Sequence, residues 1–156
     1  MEIKIRLNDH KYRYDVYQMF NIYFALDELK FVDDGEYIIN IEENKITFAF
    51  NGYYKESLIG ENIKEDIKRL VFESLKDITG EEHPWGILVG IRPSKIALKY
   101  LNEGKSNEEI VEIFKEKHLA AREKAELCIE VAKAEESFVN TDEKKIAIYV
   151  GMAFCP

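Results

Sequence analysis

The sequence predicts an α+β fold, in which two helices cover one face of a two-layer antiparallel sheet and a helical segment follows. Three observations lead there. Apolar and polar residues alternate in several stretches before residue 60, at the period of two that a half-buried strand needs. Asn51-Gly52 separates two of these stretches, and that pair accepts the positive φ angles of a two-residue hairpin turn. After residue 60 the apolar spacing shifts to three and four, the period of helices.

The elements follow in order. Glu2–Leu7 alternates and reads as a strand. Tyr12, Val16, Met19, Phe20, Tyr23 and Leu26 recur at helical spacing, with Asn8 or Asp9 as the cap. Tyr14, Tyr17 and Phe24 fall on a neighbouring face, so this helix is expected to bury a wide front against a sheet. A β meander comes next. Phe31-Val32 starts it, Tyr37–Glu42 is a strand, and Glu43-Asn44 is a tight turn. Ile46, Phe48 and Phe50 alternate on the following strand, and Tyr53–Leu58 returns after Asn51-Gly52. Asn62 caps a second helix whose inner stripe is Ile63, Ile67, Leu70, Val71, Ser74, Leu75 and Ile78, and Gly80 ends it. Residues 1–80 thus form one β-α-β-β-β-α unit.

Residues 81–140 read as a loop plus three helices. The loop carries Pro84, Gly86 and Gly90. Pro93 suits the first turn of a helix that Gly104 closes. Ser106-Asn107-Glu108-Glu109 is a capping box, opening a helix with Ile110, Ile113 and Phe114 inside. A third helix runs from about Ala121 to Phe138, and Asn140-Thr141-Asp142 breaks it. Residues 141–156 form a separate segment. Ile146–Val150 is apolar on both alternating faces, the pattern of a strand covered on both sides, and it runs into Gly151 and Cys155.

Composition narrows the function classes. The chain has 156 residues and a formal net charge of −8. Residues 1–60 hold 7 Lys/Arg against 11 Asp/Glu, and residues 61–156 hold 15 against 19, so neither half offers a basic face to a phosphate backbone. No nucleic-acid partner is expected. No 18-residue apolar run exists, and the first residues lack a signal-peptide pattern, so no membrane partner is expected either and the location is cytoplasmic.

The candidate chemistry is sparse. His10, His83 and His118 stand far apart, without metal-ligand spacing, and read as surface or loop histidines. At the end of its helix, His118 is placed where a cation suits the dipole. Cys128 sits among Leu127, Ile129 and Val131 and reads as a small buried apolar residue. Arg92 and Lys95 flank a helix start, beside free backbone N–H groups, and form a candidate anion, substrate or interdomain contact. The competing reading pairs Arg92 with an acidic neighbour.

Two stretches carry a family resemblance. "IYVGMAFCP" (148–156) resembles the opening of the radical S-adenosylmethionine motif in oxygen-independent coproporphyrinogen III oxidases, and "GIRPSKI" (90–96) resembles the HemZ-type branch of coproporphyrinogen dehydrogenases. Those proteins often have Ile-Pro where this chain has Met152-Ala153, and some have histidine where Gly151 stands. The resemblance implies that residues 141–156 open a radical S-adenosylmethionine barrel whose Cys-x-x-x-Cys-x-x-Cys motif continues beyond Pro156. It makes Cys155 the first of three cysteine ligands to a [4Fe–4S] cluster and sets Tyr149 near S-adenosylmethionine. It implies haem (porphyrin) synthesis, by oxidative decarboxylation of the propionates of a porphyrinogen substrate to vinyls. One cysteine cannot hold such a cluster, so the 156 residues alone are expected to bind neither cofactor and to be inactive. The residues also admit a non-catalytic α+β partner-binding module, or a radical S-adenosylmethionine enzyme with another substrate. The apolar tail needs partners, so it is expected to pair with this chain's own sheet edge or in a strand-mediated dimer.

Overall fold

A computed structural model of the chain describes residues 2–136 and 138. Among the described residues the fold is α+β, with five strands in one mixed sheet and five α-helices. The strands are β1 (Ile3–Leu7), β2 (Leu29–Phe31), β3 (Tyr37–Ile41), β4 (Lys45–Phe50) and β5 (Tyr53–Leu58). The helices are α1 (Arg13–Tyr23), α2 (Ile63–Thr79), α3 (Pro93–Asn102), α4 (Asn107–His118) and α5 (Arg122–Glu136). The expected strand at the tail, with Tyr149, Cys155 and the Asn140–Asp142 break, lies outside the described residues.

The sheet is not the antiparallel one that alternation suggested. Its order is β2-β1-β3-β4-β5, and β1 runs parallel to both of its neighbours. Only β3-β4 and β4-β5 are antiparallel, joined by the two short turns. The reason is the connection. After β1 the chain crosses through α1 and returns alongside it as β2, which is how parallel strands are joined. Phe31 and Tyr37 then pair with Ile5 from opposite sides, so residues 32–36 must pass across β1. Gly35 makes that crossing: a Cβ there would stand 2.5 Å from the backbone nitrogen of Arg6 and 2.6 Å from the carbonyl carbon of Ile5.

Local signals explain most of the rest. Asn51 and Gly52 have φ of 43° and 83°, and Phe50 pairs with Tyr53 across their turn. The Asn62 side chain accepts the Glu65 N–H, and Gly80 ends α2 at φ 72°. Pro93 opens α3, and Ser106 and Glu109 form a reciprocal capping box on α4. The first helix starts later than expected. A 3-10 turn, His10–Tyr12, is capped by Asp9 and precedes α1, and α1 ends at Tyr23, leaving Leu26 exposed in a second 3-10 turn. Tyr14 also points to solvent.

Two apolar cores result. In the first, α1 and α2 bury Val16, Met19, Phe20, Ile67, Leu70, Val71 and Leu75 against Ile3, Ile5, Ile39, Ile46 and Phe48. The second joins α3, α4 and α5 through Ala97, Leu98, Ile110, Phe114, Ala125, Cys128 and Ile129. Cys128 is buried as its sequence context suggested, and burial pushes its thiol up.

His118 is a correction. It is not a surface histidine but is buried, 5.7 Å from the Phe114 ring. Burial holds its imidazole below the ordinary histidine range, against the pull of Glu65 and with help from Lys117 and Arg69. The charged form that would suit the helix dipole is the form that burial penalises.

Candidate functional site

The segment His83–Lys95 stitches the two cores together. Ile87 enters the first core and Leu88 the second. The Ile87 N–H donates to the His118 carbonyl at 2.9 Å, and the Ala121 N–H donates to the Pro84 carbonyl at 2.8 Å. Gly86, at φ 54°, lies so close under the end of α4 that a Cβ would come within 2.1 Å of the His118 carbonyl oxygen. From the other side, the Arg69 guanidinium donates to the carbonyls of Glu116 and Lys117 at the same helix end. These carbonyls have no partner within their own helix, so the seam is built from groups that must be satisfied.

At the end of this segment stand the two cations singled out in the sequence. Arg92 is the N-cap of α3 and offers no side-chain cap. Its Nη2 lies 3.4 Å from Glu135 Oε2, and the buried Ser94 hydroxyl donates to the same oxygen at 3.2 Å. One carboxylate on the last turn of α5 therefore holds both residues. Lys95 is exposed and makes no ion pair among the described residues. The helix start thus separates its two cations: Arg92 is tied to an acidic neighbour, and Lys95 faces water.

Two hollows flank the segment, both containing His83 and Pro84. One, of about 350 Å³, is lined mainly by Ile22, Trp85, Leu88, Val89 and Gly90. The other, of about 520 Å³, has Phe72, Pro84, Leu119 and Ala120 for an apolar floor and charged groups at its rim. The rim is neutralised internally. Lys55 Nζ lies 3.0 Å from Glu73 and 3.2 Å from Asp77, and Lys76 lies 2.7 Å from Glu82. The Tyr53 hydroxyl donates to Asp77 at 2.7 Å, and this bond, with Lys55 behind it, holds the Asp77 carboxyl below its usual range. The His83 ring meets the Tyr23 ring edge-on at 4.5 Å, and burial, with Glu81 and Asp77 adding to it, raises the Tyr23 phenol. Sequence reasoning missed this cleft, because its lining residues run from Lys55 to Ala121 and no single window holds two of its walls.

The described residues do not supply a metal site. Among them no group of three or more His, Cys, Asp or Glu is placed to hold a metal ion, and Cys128 is sealed in the helical core. Cys155 and Tyr149 lie outside the described residues, so the geometry brings nothing to the expected cluster position. No helix among the described residues is long and apolar enough to cross a membrane.

No family model matches the chain, and no solved structure matches it. It is similar to the oxygen-independent coproporphyrinogen-III oxidase-like protein HemZ of Bacillus subtilis (strain 168), with 33% identity over 97 residues. The match takes in 60% of this chain and 19% of HemZ, so the chain spans about a fifth of its relative's length.

Proposed function

We propose that this chain is the front part of a HemZ-like oxidoreductase of porphyrin synthesis. What carries the reading is the 33% identity over 97 residues, joined to the "GIRPSKI" and "IYVGMAFCP" stretches. The parent acts on a porphyrinogen and converts propionates to vinyls by oxidative decarboxylation, in the cytoplasm. A [4Fe–4S] cluster with S-adenosylmethionine would supply the radical for that chemistry, with Cys155 as the first of three cluster thiolates and Tyr149 close to S-adenosylmethionine. Among the described residues no group of three or more His, Cys, Asp or Glu is placed to hold the cluster's iron.

This chain's own part is domain support, with the exposed Lys95 as the contact for the carboxylated substrate. The clamp of Arg92 and Ser94 on Glu135 favours support, because it ties α3 to the last turn of α5, from which the chain runs on towards Cys155. Reading the gene past the codon for Pro156 tests the family. A cysteine four positions after Cys155 and another three beyond it are expected, and a stop codon would leave a non-catalytic binding module. In the parent, Cys155→Ala is expected to abolish iron-sulfur absorbance, and an unchanged spectrum would reject its assignment. Lys95→Ala is expected to weaken substrate affinity more than Arg92→Ala, by about tenfold at most for one exposed charge; equal affinities would remove Lys95 from recognition.

A further inference from the structure

We propose that the hollow beside Gln18 is a binding site for a flat, uncharged aromatic molecule with one ring N–H donor, of the pyrrole or indole class. The first observation is a buried amide with an unused acceptor. Gln18 is only 9% exposed, and its Oε1 is buried without a hydrogen-bond partner among the described residues. Such an oxygen carries the full cost of its lost water, and folded chains keep few of them. Its place in the fold supplies a reason. Ile22 follows Gln18 by four residues on α1, so the two share one side of the helix. Ile22 lines the hollow of about 350 Å³, and so does Gly90. A Cβ on Gly90 would stand 3.1 Å from Gln18 Nε2. The amide therefore lies against the wall that these two residues share. Gly90 has a φ of 69°, a conformation that favours glycine, so no side chain closes the hollow over the amide.

The walls select the body of the ligand. Ile22, Trp85 and Val89 are half-buried, and each leaves apolar surface open to the hollow they line. Two of the walls are rings, Trp85 and His83. The Trp85 ring is held by the Lys124 ammonium 5.2 Å away, and His83 by the Tyr23 ring at 4.5 Å. Rings pack favourably on rings, offset or edge-on. No lysine, arginine or carboxylate among the described residues lines this hollow, which favours an uncharged ligand. The volume is at the small end for a ligand site and suits a small heterocycle. A water molecule would satisfy Oε1 but leave the apolar walls wet, whereas a ring N–H satisfies the oxygen and covers the walls together. The inference owes nothing to the HemZ likeness; it rests on Gln18 and the hollow.

The test titrates the whole 156-residue chain with indole, read by amide chemical shifts. Saturable shifts are expected, centred on residues 18–22 and 83–90. The probe 1-methylindole keeps the ring and lacks the N–H, and is expected to bind about fivefold or more weakly, the worth of one hydrogen bond. In Gln18→Met, which keeps the length of the side chain and removes the acceptor, the two probes are expected to bind alike. The absence of saturable shifts, or shifts centred elsewhere, would overturn the proposal. So would equal binding of the two probes to the unmodified chain. Thermal melting without ligand separates a structural role for Gln18. The Met variant is expected to melt no lower than the unmodified chain, because it buries no unpaired oxygen. A lower melting point would show that the amide already has its partner within the fold, and would overturn the proposal as well.

Discussion

Gly35 acts through what it lacks. Its value is not a special backbone angle but the missing Cβ, which would collide with the Arg6 nitrogen at 2.5 Å where the chain passes over β1. Backbone cannot give way as a flexible side chain does, so Gly35→Ala is expected to cost about 2–4 kcal/mol in urea unfolding. A loss below ~0.5 kcal/mol would mean that the crossing is looser than described. His118 makes a second point at this scale. In the folded chain its pKa is lowered by burial from the model-peptide 6.5. As pH falls past about 6.5 the unfolded chain takes up the proton first, so unfolding is favoured and stability drops until the lowered folded pKa is reached. Above that window the penalty is absent. His118→Gln is expected to flatten this part of the stability–pH curve, and an unchanged slope between pH 7 and 5 would show that His118 is not its source.

At the scale of elements, helix ends were the most readable parts of the chain. Ser106 and Glu109 satisfy each other's backbone N–H groups, as their spacing of three predicts. The Ser106 N–H bond holds the Glu109 carboxyl below its usual range, so the box weakens on acidification, when that carboxylate takes up a proton. Ser106→Ala is expected to cost about 1 kcal/mol by thermal melting, with Ser106→Asp keeping most of it. The β3-β4-β5 meander was legible for the same local reason, because turn residues and strand alternation are adjacent in the sequence. The partners of β1 were not. A three-residue strand such as β2 carries too little pattern to announce its neighbour, and the parallel pairing depends on a crossover of more than twenty residues.

For the molecule as a whole, the deciding feature is the stitched seam. Ile87 and Leu88 are adjacent in sequence and belong to different cores. The Ile87 N–H and the Arg69 guanidinium close on the end of α4 from opposite sides. The two cores are therefore expected to unfold together, in one calorimetric transition with equal van't Hoff and calorimetric enthalpies. Ile87→Ala should remove about 2–4 kcal/mol from that single transition. Two separated transitions in the unmodified chain would show that the seam does not couple the cores.

The candidate site divides along the same line as the fold. By itself the sequence determined the helix caps, the Asn-Gly hairpin, the alternating strands, the burial of Cys128 and the stretches that point to HemZ. Each of these depends on residues within a few positions of one another, where chain geometry leaves few choices. Tertiary structure decided that β1 lies between two parallel neighbours, that His118 is buried, that Arg92 is bound to Glu135, 43 residues away, and that a cleft lies between α2 and the start of α5. These depend on which distant surfaces meet. That choice is made by burying apolar area and satisfying polar groups over the whole chain at once, and no local stretch of sequence carries it.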